Sequence, residues 1–226
     1  MKTRLLLVTL FAASAHAAAP EASPATAPAA PALKAVFVEP DSSEGAEVRR
    51  IGDNAINRLA FTMVNELNVA VAKGGFEGAV DVAHFKNLPM TGGRIVGLPQ
   101  ISAVKHTSFR LRNPANAPDA ADALALDRVQ HALAANYDAP KVLVQRIDAP
   151  GAAPEWRVYR PLGAMPMCLK CHGDPAEQTP ALRAKLNATY PTDNATGFRL
   201  GEWRGFLRVT VDLAPPPAPK PAAKKI

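Results

Sequence analysis

Leu207-Arg208-Val209-Thr210-Val211-Asp212-Leu213 alternates apolar and polar side chains without a break. That two-residue period is the mark of a strand, which sends alternate side chains to opposite faces. Upstream, residues 141–147 and 155–162 read as two strands of a hairpin around a Pro/Gly/Ala loop, and 103–111 as a further strand. Helices come earlier. Val48, Ile51, Ala55, Ile56, Leu59, Met63, Val64 and Leu67 recur at helical spacing, and Gly74-Gly75 is expected to stop that helix. A second, shorter helix is expected over 76–85, ahead of Pro89. Another is expected over 117–135, capped by Asn116 with Pro118 in its first turn, and a short one over 180–188. Hairpin-joined strands with helices grouped ahead of them predict an α+β domain.

Between the hairpin and the last strand stands Cys168-Leu169-Lys170-Cys171-His172, and the chain has no other cysteine. C-x-x-C-H is the sequence at which haem is attached to c-type cytochromes. Two thiols three positions apart can add to the two haem vinyl groups, and the following imidazole can ligate the iron. A redox dithiol usually needs a βαβ setting and does not require the His. Half of a zinc site would need scattered partners, because there is no second cysteine pair. The motif is expected in a loop, with one covalent haem c held by Cys168, Cys171 and His172. Its position excludes two helical haem folds. Small electron-transfer cytochromes carry it near the N-terminus and take a distal Met from downstream, yet no Met or His follows His172. Four-helix cytochromes would need helix where 201–213 reads as strand.

Lys2 and Arg4, an apolar run over 5–13, and Ala15-His16-Ala17 have the form of a secretory signal peptide. The apolar run is too short to span a bilayer, and no later segment approaches that length. The expected organisation is a signal peptide over 1–17, an Ala/Pro linker over 18–35, one folded domain over 36–213, and a Pro/Ala/Lys tail over 214–226. Cleavage would leave a periplasmic protein without a transmembrane segment. The formal charge of +6 falls largely on the signal region and the tail. A nearly neutral body argues against nucleic acid as a partner.

Four stretches carry a resemblance to a known family. They are Thr107-Ser108-Phe109-Arg110-Leu111-Arg112-Asn113-Pro114-Ala115-Asn116-Ala117-Pro118-Asp119, then Cys168 to Gly173, then Tyr190-Pro191-Thr192-Asp193-Asn194-Ala195-Thr196-Gly197-Phe198, and Gly201-Glu202-Trp203-Arg204-Gly205. In order and content they resemble the single-haem c-type sensor domains with a PAS-like fold, found alone in the periplasm or in sensor kinases. The resemblance implies a small antiparallel sheet, a long N-terminal helix and a haem lying against them. In that family a cysteine of the short second helix can supply the second iron ligand. Ala83 stands at the corresponding place, so a thiolate ligand is excluded. His84, the next residue, can bind iron, with Asp81 one turn earlier able to orient it. His84 is therefore the expected distal metal ligand, ahead of Met90, His106 and Met63. The alternative is a surface histidine and an open sixth position.

Arg110 and Arg112 suit the haem propionates by guanidinium–carboxylate chemistry, or else form an exposed basic strand. Trp156 and Trp203 read as core aromatics. No distal acid/base pair can be argued, so an enzyme is not expected. Two functions stay open: a redox or small-ligand sensor read by a separate periplasmic partner, and a one-electron carrier between periplasmic proteins.

Overall fold

The computed structural model describes residues 34–83 and 88–214. The signal segment, the linker up to residue 33, the tail from 215 and His84 lie outside the described residues. In chain order the elements are β1 (Lys34–Val38), α1 (Gly45–Ala79), β2 (Met90–Thr91), β3 (Arg94–Ile95), β4 (Ile101–Thr107), α2 (Ala120–Ala134), β5 (Leu143–Asp148), β6 (Glu155–Gly163), α3 (Pro166–His172), α4 (Pro180–Thr189) and β7 (Trp203–Val211). Five strands form one antiparallel sheet in the order β1-β5-β6-β7-β4, while β2 and β3 make a small separate hairpin. The α+β reading holds. Edge strand β1 begins at Lys34, inside the stretch read as linker, and pairs with β5 from Lys34↔Asp148 to Val38↔Val144.

The sheet is covered on both faces. On one, Val48, Ile51, Ala55, Ile56 and Leu59 of α1 pack on Val144, Val158, Leu207, Val209 and Val211. Burying side chains of this size stabilises by roughly 1.5–3 kcal/mol each. Gly52 permits the close approach, since a Cβ there would lie 2.4 Å from Val158 Cγ2. On the other face, Ala125, Leu126 and Val129 of α2 cover Leu143, Tyr159 and Phe206.

Arg208 and Thr210 of β7 are therefore buried rather than solvated. Arg208 joins a network centred on Asp122, which is 0% exposed. Lys105 Nζ lies 3.1 Å, Arg157 Nη1 3.0 Å and Arg208 Nε 3.3 Å from the Asp122 carboxylate. Tyr159 Oη sits 3.1 Å from Asp122 and 2.8 Å from Gln145 Oε1. A buried carboxylate persists only when it is paired in this way.

Two local expectations are corrected. The Cys/His motif is not in a loop but forms helix α3: Pro166 presets the backbone of the first turn, and Gly173 closes the last by donating to Leu169 O at 2.8 Å. Helix α2 is capped by Asp119, not Asn116, in a reciprocal capping box with Asp122. Ala117 precedes Pro118 and is held extended (ψ 135°), so the helix cannot begin before that proline; Asn116 instead ends a single 3-10 turn from Pro114. The first helix does stop at Gly74-Gly75 as expected, since both glycines leave helical backbone and a second, shorter helical piece follows within α1. Gly75 takes φ 66°, which glycine adopts without strain, and helical backbone resumes up to Ala79.

Candidate functional site

Helix α3 places Cys168 and Cys171 one turn apart, so both sulfurs project from one side. Both are free thiols and half-buried. With His172 they form one wall of a cleft of about 970 Å³, counted out to its open mouth. Met63, Leu67, Phe76, Val80 and Leu186 make the apolar part of its lining, and Arg112 and Arg204 the charged part. The bend at Gly74-Gly75 returns the chain so that Phe76 and Val80 pack on Leu182, Leu186 and Tyr190.

The His172 ring is fixed in orientation and tautomer. Nδ1 lies 2.7 Å from Ala195 O, and a carbonyl can only accept, so Nδ1 carries the hydrogen. Nε2 is left with its lone pair. Arg204 Nη2 approaches it at 2.9 Å and Arg112 Nη1 at 3.4 Å. Burial first, then the charges of Arg204 and Arg112, hold His172 well below the ordinary histidine range. Phe198 packs edge-on against the imidazole at 6.4 Å between centroids. This is a neutral imidazole held by a backbone carbonyl, the arrangement that orients a metal-ligating histidine.

The loop carrying Ala195 is latched to α3. Gly197 N donates to Gly173 O at 2.8 Å and Phe198 N to His172 O at 2.9 Å. Arg112 ties in the segment before α2: Nε donates to Asp193 Oδ2 at 2.8 Å and Nη2 to Cys171 O at 2.5 Å. Four stretches distant in sequence thus close around one imidazole. Burial raises the Cys171 thiol above its ordinary value, which keeps it protonated at neutral pH. Among the described residues, no group of three or more His, Cys, Asp or Glu side chains gathers where it could hold a bare metal ion.

A family model described as Tll0287-like matches residues 91–212, more than half of the chain. The chain belongs to the Tll0287-like family. A solved structure described as the crystal structure of the cyanobacterial heme-protein Tll0287 is 26% identical, over 50% of this chain and 62% of that one, with a TM-score of 0.37. The chain therefore spans less than two thirds of that relative's length. No curated protein matches the chain.

The Tll0287-like segment contains Cys168, Cys171, His172, Arg112 and Arg204, and α1 precedes it. The structure brings Cys168, Cys171 and His172 together on the cleft wall. His84 lies outside the described residues, while its neighbour Ala83 lines the cleft. Met63 and His106 line it as well. His106 Nε2 is enclosed without a hydrogen-bond partner among the described residues, and burial, with Arg204's charge, pushes this histidine down to about 3. Of the two arginines singled out, Arg112 faces the site. Arg110 turns to Glu202 at 3.1 Å and to Thr196 O, with its guanidinium 3.8 Å above the Phe198 ring. Sequence reasoning missed Arg204 and the Ala195 carbonyl. Both stand in stretches that carried the resemblance, but no spacing rule links them to His172.

Proposed function

We propose that this chain is an exported, periplasmic haem c protein with a PAS-like body, working as a redox or small-ligand sensor module rather than as an enzyme. One observation carries the proposal: two adjacent thiols and a neutral imidazole with its Nε2 lone pair toward the cleft share one wall of an apolar-lined space. Cys168 and Cys171 would hold the group. Each thiol would add across a vinyl double bond, sulfur bonding to one carbon and the thiol hydrogen passing to the other, so no oxidant or reductant would be needed. His172 would ligate through Nε2, kept in register by Ala195 O. Bound haem would supply a one-electron iron couple and a position for a further protein or small-molecule ligand. The cleft's far wall belongs to α1, which also packs the sheet, so movement of that wall reaches the body of the domain. That shared helix favours sensing over simple electron carriage. The signal would be read by a separate periplasmic partner.

Expression in the periplasm together with haem-attachment machinery tests the reading. The purified chain should give a haem-stained band that survives denaturation, and Cys168→Ala with Cys171→Ala should lose it. Colourless protein from such cells would sink the proposal. Spectra of the oxidised and reduced protein, with and without carbon monoxide, then separate an open or displaceable site from a closed six-coordinate carrier.

A further inference from the structure

We infer that Arg204, assisted by Arg112, is the receptor for the haem carboxylates; this rests on the haem reading above. Arg204 is half-buried, its Nε is enclosed without a hydrogen-bond partner, and no carboxylate among the described residues lies within salt-bridge distance of it. Its close polar neighbours are two atoms of the attachment motif, His172 Nε2 at 2.9 Å and the Cys168 sulfur. Neither serves it well once haem is held. The Nε2 lone pair cannot be shared between Arg204 and iron, and the Cys168 sulfur, as a thioether, is only a weak acceptor. A guanidinium kept in this half-buried place without an acceptor carries a desolvation penalty. The same group that takes its acceptors away brings two carboxylates, whose geometry matches the guanidinium fork.

The neighbouring arginines divide the work. Arg110 is turned to Glu202, Thr196 O and the face of Phe198, so it is less free than Arg204 to take a new carboxylate. Arg112 spends Nε on Asp193 and Nη2 on Cys171 O, which leaves Nη1 directed at the cleft, 3.4 Å from His172 Nε2. Arg204 therefore supplies the main contact and Arg112 a lesser one. Positive charge beside the iron favours the ferrous state, so Arg204 also raises the reduction potential.

The test uses the haem-loaded full chain and reads midpoint potential and the resonance Raman propionate-bending bands. Arg204→Leu should keep its covalent haem stain, lower the potential and shift those bands, whereas Arg204→Lys should recover part of the potential but not the bands. Arg110→Leu should change both less than Arg204→Leu does. If Arg204→Leu does not accumulate, Arg204→Lys decides alone: unshifted bands in it overturn the assignment. Wild-type potential and bands in Arg204→Leu, or a larger shift in Arg110→Leu, would also overturn it. A wild type without covalent haem fails the underlying reading instead, and the stain distinguishes the two failures.

Discussion

At the scale of single residues, the chemistry concentrates on one imidazole. His172 is neutral because burial and two guanidinium groups oppose its protonation, and because Ala195 O holds the one ring hydrogen at Nδ1. His172→Ala should leave both thiols able to take haem but remove the proximal nitrogen, giving a covalently stained protein with a high-spin ferric spectrum. Retention of the wild-type low-spin spectrum would exclude His172 as ligand. His84 remains the proposed distal ligand, since thiolate is excluded at Ala83. His84→Ala should then convert a low-spin ferric iron to high spin or open it to carbon monoxide. An unchanged spectrum would turn attention to Met63 and His106, the described cleft residues on the far wall and on β4 that carry a ligating atom. A Met ligand would add the weak near-infrared sulfur-to-iron band; a second imidazole would not.

At the scale of elements, helix termini and close helix–sheet contact set the stability. Asp119 caps α2 and binds Arg157 at 2.7 Å. Although burial alone would raise it, the Arg157 hydrogen bond and the Asp122 amide hold it down to about 2. Its unfolded value is about 3.9, so its share of stability is complete above about pH 4 and is lost as pH falls through about 2. Asp119→Ala should cost about 1 kcal/mol at neutral pH through the lost cap, and should flatten the acid-dependent loss. Urea unfolding at several pH values checks this; parallel losses in wild type and variant would contradict it. Gly52→Ala places a methyl 2.4 Å from Val158 Cγ2, so α1 must lift from the sheet. A loss of roughly 1–3 kcal/mol is expected, seen as a lower Tm. An unchanged Tm would mean that the contact relaxes freely.

At the scale of the whole molecule, a five-stranded sheet is clamped between α1 and α2, and the candidate haem cleft opens beside the far end of α1. The clamp on the α2 side depends on a buried charge. Asp122→Ala would leave Lys105 and Arg208 without their carboxylate, Arg157 keeping Asp119 and Glu155, at an expected cost of about 3–5 kcal/mol. Equilibrium unfolding near wild-type stability would show that the network is relieved by water. The sequence alone marked the last strand, which runs from Trp203 to Val211, the helical spacing of Val48 to Leu59 and the C-x-x-C-H spacing, because two-residue and 3.6-residue periods and a short motif are local properties. Local rules misjudged the setting of the motif, since Pro166 and Gly173 turn it into a helix, and the start of α2, since Pro118 holds Ala117 extended. Nothing local marked the inward charges of β7 as buried, for that required α2 to fold over them. Arg204 meeting His172, the Ala195 carbonyl fixing its tautomer and α1 walling the cleft were decided by tertiary structure alone. Contacts between residues far apart in sequence have no period, and only the closed sheet and the latched loops bring them within hydrogen-bond reach.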